Sequence, residues 1–223
     1  MIRVWLPTAW CVWRDTERAT SLNKHLAQLF EAHPALEVCA DDIEGTYEVL
    51  RHYFAAGGKV LVCGNGGSAA DAEHWAGELL KGFVAKRPLT GEERTGLNPN
   101  LGDRLQGALP MIPLTGFLSY RTAFANDGDQ ELVFAQLVWA LGRPGDVLAA
   151  LSTSGDSNVC LAAEAARARQ MKVVALTGLG GGKLDSLADV CIRVPARDTY
   201  LVQEYHLAIY HRLTLMLEDE FFG

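Results

Sequence analysis

The sequence predicts an α/β protein, a doubly wound three-layer α-β-α sandwich around a parallel sheet of about five strands. Three observations predict it. Short apolar runs alternate with segments of helical periodicity. The strand-like runs are continuously apolar, as Lys59-Val-Leu-Val-Cys63 is, the pattern of strands covered on both faces. Glycine-rich or hydroxyl-rich turns join such runs to the helices that follow, as βα units require.

Each element follows from local pattern. From Thr20 to Phe30, Leu22, Leu26, Leu29 and Phe30 share one helical face, and Pro34 ends the run. Asp41 to Ala56 repeats the motif with Ile43, Tyr47, Leu50 and Phe54, and Gly57-Gly58 stops it. The Lys59–Cys63 strand leads into a helix from Asp71 to Phe83. Met111–Leu114 reads as a strand and Gln130–Leu141 as a helix. Asp146–Leu151, Lys172–Leu176 and Val190–Val194 read as further strands. Between and after them come helices at Val159–Gln170, Lys183–Ala188 and Tyr200–Glu220. Residues 85–107 are polar, rich in Gly and Pro and without periodicity, which predicts a long loop, either functional or disordered.

The 223 residues suffice for one substantial domain: residues 20–223, with the 85–107 insertion, preceded by an arm over residues 1–19. That arm carries Trp5, Trp10 and Trp13 around Pro7, followed by Arg14-Asp15. It reads as a docked arm, or as a start codon assigned too far upstream, rather than as an export signal. No run reaches the length of a membrane helix. Five cysteines without a C-x-x-C pair predict core thiols and a cytoplasmic setting. A formal net charge of -7 argues against nucleic-acid binding and requires any phosphate site to be a local construction.

Two loops can make such a site. Gly64-Asn65-Gly66-Gly67-Ser68 stands between strand and helix, where glycines let the backbone approach a ligand and free amides favour an anion. It is neither a dinucleotide fingerprint nor a Walker loop. In the equivalent place after a later strand, Ser152, Thr153, Ser154 and Ser157 offer four hydroxyls, more than capping needs. His74 and Glu78 lie four apart on the helix after the first loop, a pair suited to metal binding, to proton transfer or to a plain surface contact. The last helix offers Gln203 and His211, eight residues and about 12 Å of helix rise apart. By spacing alone they read as a polar flank.

Four blocks in order resemble the sugar isomerase (SIS) domain family, and within it the phosphoheptose isomerases: VLVCGNGGSAADAEHWAGEL, GDVLAALSTSGDSNV, VVALTGLGGGKLDSLADVCIRVP, and VQEYH with His211. The resemblance implies the SIS fold, with N-terminal helices packing in a homotetramer whose sites lie at subunit interfaces. It implies aldose–ketose isomerisation of sedoheptulose 7-phosphate and one zinc ion per site. Family ligands fall on His74, Glu78, Gln203 and His211, the base on Glu78 and the acid on His211. Phosphate contacts fall on Ser68, Ser152, Thr153, Ser154 and Ser157, beside Asn65, Gly66 and Gly67. Gln203 and an acidic position, Asp127, fall near the sugar.

The chain departs from the family pattern at Gly82, where an Arg is usual, in the longer run after Arg87-Pro88, and at Leu201. These positions bear on the sugar hydroxyls, so isomerisation of a different sugar phosphate is an alternative. Another is a non-catalytic SIS relative, a phosphosugar-binding or replication-initiator-associating regulator. Retention of both Glu78 and His211 favours the enzyme.

Overall fold

The computed structural model describes residues 24–155 and 157–223; the Trp-rich arm, Cys11 and Leu22 lie outside them. Helix α1 occupies residues 24–32. It is followed by a 3-10 turn and α2 (Ala40–Ala55), whose Ile43, Tyr47, Leu50 and Phe54 are all buried. Strand β1 (Val60–Cys63) leads into α3 (Gly67–Leu80). Then come a one-turn α4 (Pro99–Gly102), β2 (Met111–Pro113), α5 (Leu118–Asp127) and α6 (Val133–Leu141). The second half alternates β3 (Val147–Ser152), α7 (Asn158–Ala168), β4 (Lys172–Thr177), α8 (Gly182–Leu187), β5 (Val190–Arg193) and α9 (Thr199–Phe222).

All pairings are parallel, and the five strands run in the order β2-β1-β3-β4-β5. The side-chain alternation of these strands divides the core in two. Val60, Val62, Val147, Ala149, Leu151, Val174 and Leu176 face α1, α2, α3 and α9. Leu61, Cys63, Leu148, Ala150, Val173 and Ala175 face α6, α7 and α8. Continuous apolar strands are thus buried on both faces, and the three layers follow from that burial.

The order carries the functional consequence. From β1 the chain passes to β2 on one side, then returns to β3 on the other. The switch point therefore lies between the carboxyl ends of β1 and β3, where open α/β sheets form their ligand crevice.

Three differences from the sequence pattern have local causes. Helix α3 begins at Gly67, four residues before the Asp71 start read from the sequence, because Gly66 takes a φ of 56° and turns the chain straight into the helix. Helix α5 was not expected: none of its residues is buried, so it has no apolar periodicity to detect. The 85–107 run is tied down at both ends. Pro88 and Gln106 form an antiparallel bridge, and the Gly107 amide donates to the Arg87 carbonyl.

Inside that tie, Arg87 is fully buried. Its Nε donates to Glu218 of α9 at 2.7 Å, and its Nη1 donates to the Leu79 carbonyl at the end of α3. Glu218 also accepts the amides of Phe83, Val84 and Ala85, each at 2.9 Å. Burial raises the Glu218 carboxyl, but those amides and the guanidinium outweigh it and hold the group below the ordinary glutamate value.

His206, on the core side of α9, is completely buried, and burial holds its imidazole down at about 4. The sign follows from proton linkage. The unfolded chain takes up a proton near 6.5 that the folded chain refuses until about 4, so stability falls as pH drops through that window. Urea midpoints at several pH values should show an acid loss on the order of 3 kcal/mol from this group. In His206→Leu the slope should flatten by one proton; an unchanged slope would show that His206 does not set it.

Candidate active site

Two loops and one helix end close a pocket of about 300 Å³ at the switch point. From the β1–α3 loop come Asn65, Gly66, Gly67 and Ser68; from the β3–α7 loop come Ser152, Thr153, Ser154 and Ser157. Helix α9 adds Gln203 and Thr199. None of these lining side chains carries a charge. Helix starts leave amides without intrahelical partners, and those of α3, α7 and α9 meet here, so backbone dipoles and hydroxyls suit the pocket to an anion.

The loops are held in place by specific contacts. Asn65 Nδ2 donates to Asn158 Oδ1 at 2.7 Å, bridging the two loops. Ser157 caps α7 by accepting the Val159 amide, and Ser152 Oγ accepts the Gly155 amide. Beneath them runs the glycine-rich turn after β4. Gly182 has a φ of +57°, and a Cβ there would meet the Ser154 carbonyl oxygen and Gly155 carbonyl carbon at 2.6 Å. Gly182→Ala should therefore raise the dissociation constant for inorganic phosphate about tenfold, ~1.4 kcal/mol. Gly180→Ala, with nothing within 4 Å of its Cβ, should leave it unchanged. Equal affinities in both variants would disprove the role given to this packing.

A second cluster lies farther along the same two helices. His74 Nε2 is 3.3 Å from Glu78 Oε1, and the His74 and His211 rings cross edge-on with centroids 5.1 Å apart. Lys81 Nζ donates to Glu78 Oε2 at 2.7 Å. Phe83 covers the other side of His211, with centroids 5.3 Å apart. Burial raises the Glu78 carboxyl, yet Lys81 and His74 together bring it below the ordinary glutamate value. Burial, then the neighbouring His74, lower the His211 imidazole. His74 stands six residues beyond Ser68, about 9 Å of helix rise, so a ligand anchored in the pocket can extend along α3 to this cluster.

The structure thus brings His74, Glu78 and His211 together, and gathers Gln203 with the loop residues instead. Asp127 stands apart: it is exposed at the end of α5, paired with Asn126. Sequence reasoning missed Thr199, which Asp198-Thr199 at a helix start could have signalled. It also missed Asp71 and Tyr210. The Tyr210 hydroxyl lies 2.8 Å from His74 Nδ1 and donates to Asp71 Oδ1 at 3.4 Å. Burial pushes Asp71 up to about 6, against the opposing pull of Tyr210 and His74.

The donors have the types a zinc ion takes. Among the described residues no three His, Cys, Asp or Glu side chains already converge on one point. Even so, the 3.3 Å between His74 Nε2 and Glu78 Oε1 is close to the about 3.4 Å edge of a tetrahedral zinc site. His211 Nε2 is buried without a hydrogen-bond partner. An orphaned imidazole nitrogen beside such a pair fits a cation better than it fits an empty core.

Comparison with known proteins gives the family. The SIS domain model matches residues 23–178. The phosphoheptose isomerase of Thiobacillus denitrificans is 46% identical over 183 residues, 80% of this chain and 83% of the relative. That of Rhodospirillum rubrum is 43% identical over 182 residues, 81% and 87% of the two chains. The solved phosphoheptose isomerase of Neisseria gonorrhoeae superposes with a TM-score of 0.70 at 35% identity, covering 92% of this chain and 98% of that one. With a matching domain model, close relatives over most of its length and the same fold, the chain belongs to the SIS-domain family, among the phosphoheptose isomerases.

Proposed function

We propose that the enzyme isomerises sedoheptulose 7-phosphate to D-glycero-D-manno-heptose 7-phosphate through a cis-enediol(ate). The observation that carries this reading is the shared scaffold: α3 and α9 line the phosphate pocket and also present His74, Glu78 and His211. The terminal phosphate binds among Ser68, Ser152, Thr153, Ser154 and Ser157, and the carbonyl end reaches the second cluster. Glu78, kept ionised by Lys81, takes the proton from C1, exchanges it with solvent, and delivers a proton at C2. His211, neutral in its resting state, serves the oxygens.

His74, Glu78, Gln203 and His211 would hold a zinc ion, which when bound supplies Lewis-acid stabilisation of the developing enediolate. Gln203 sits with the phosphate loops, so it would link the two halves of the site. A homotetramer with sites at subunit interfaces belongs to the same reading. Exposed α5, with Leu118 73% accessible at its start, is a surface that a neighbouring subunit could cover. A cytoplasmic setting is in keeping with four buried free thiols, and no helix among the described residues is long and apolar enough to cross a membrane.

A panel of ketose phosphates with added zinc, read by NMR, tests the proposal. Sedoheptulose 7-phosphate should give its aldose fastest. A different preferred sugar would overturn the substrate, and no turnover of any would favour a non-catalytic phosphosugar binder.

A further inference from the structure

Tyr210 and Asp71 form a chain onto His74 that neither the phosphate pocket nor the proton transfer uses. Tyr210 is fully buried, its ring stacked on Trp75 with centroids 5.7 Å apart, so its hydroxyl is fixed in direction. That hydroxyl has one proton. Asp71 Oδ2 is buried without a partner, and Oδ1 is met by the Tyr210 hydroxyl at 3.4 Å. A carboxylate short of donors holds that proton. The Tyr210 oxygen is then the acceptor in its 2.8 Å contact with His74, and His74 must donate from Nδ1.

We infer that Asp71 and Tyr210 are positioning residues that fix His74 as the Nδ1–H tautomer and present the bare Nε2 lone pair beside Glu78. In this tautomer Nε2 and Glu78 Oε1 face each other as two acceptors 3.3 Å apart, a pairing that is satisfied by a metal cation between them or by a second proton on the ring. The inference rests on the proposed zinc site for its purpose, but not for its geometry. A partner on the far nitrogen of a metal-binding histidine sets ring orientation and raises ligand basicity.

The test combines nitrogen NMR of histidine-labelled apoprotein, above neutral pH, with zinc titration against a chromophoric chelator. Wild-type His74 should show a protonated Nδ1 and an unprotonated Nε2. Tyr210→Phe keeps the stacked ring, and Asp71→Ala breaks a hydrogen-bond path that reaches His74 through Tyr210. Both should bind zinc roughly 10–100-fold more weakly while inorganic phosphate binding is unchanged. Asp71→Ala should also shift the proton towards Nε2, because the freed hydroxyl can then donate to Nδ1. An Nε2–H tautomer in the wild type, or wild-type zinc affinity in both variants, would overturn the inference. Absence of zinc binding by the wild type would instead overturn the metal reading, with the tautomer still decided by the apoprotein spectrum.

Discussion

Glutamine at position 78 is expected to lower kcat roughly 10²–10⁴-fold, the usual worth of a positioned general base. The substitution keeps the shape and one acceptor oxygen for Lys81, so the helix and the phosphate pocket should survive. Circular dichroism and inorganic phosphate affinity should therefore match the wild type. Turnover within threefold of wild type would remove Glu78 from the chemistry. Lys81→Met serves as a companion: without its ammonium the carboxyl rises, and the acid limb of the rate profile should move to higher pH.

The second large effect concerns folding. Glu218→Ala should destabilise the chain by about 3–5 kcal/mol, the cost of leaving one partner of a buried ion pair alone. It strands the Arg87 guanidinium and frees the amides of Phe83, Val84 and Ala85 at once. Against a typical total of about 5–15 kcal/mol, that brings the protein close to unfolding. Urea denaturation measures it directly, and a loss under about 1 kcal/mol would mean the pair is not the clamp described. Function is linked to the same clamp. Arg87 Nη2 reaches the Glu78 carbonyl at 3.3 Å, and Phe83 lies against His211, so loosening the clamp should disturb both side chains proposed for the chemistry.

The parts of the molecule legible in the sequence are those with strong periodicity. Ile43, Tyr47, Leu50 and Phe54 announced α2, and the continuous apolar runs announced the sheet. The two loops of the pocket were legible because glycines and clustered hydroxyls between strand and helix are the makings of an anion site. Helix α5 was not legible, since only Tyr120 and Phe124 pack partly against the core and no residue of it is fully buried, too little for a pattern. Nor was the Arg87–Glu218 pair: the partners are 131 residues apart, and each alone reads as a surface charge. The same holds for Asp71, Tyr210 and His74, where a contact across helices α3 and α9 gives each residue its role. Gln203 and His211 read as a polar flank until the fold sent one to the loop pocket and the other to His74.

The central claim is that one scaffold anchors a sugar phosphate and moves a proton at its far end. Incubation with sedoheptulose 7-phosphate in deuterium oxide, followed by proton NMR, tests it most directly. The account predicts D-glycero-D-manno-heptose 7-phosphate carrying deuterium at C2, with product formation and exchange both slowed roughly 10²–10⁴-fold in Glu78→Gln. Formation of the aldose with no deuterium at C2, or equal exchange in the Glu78→Gln variant, would contradict it.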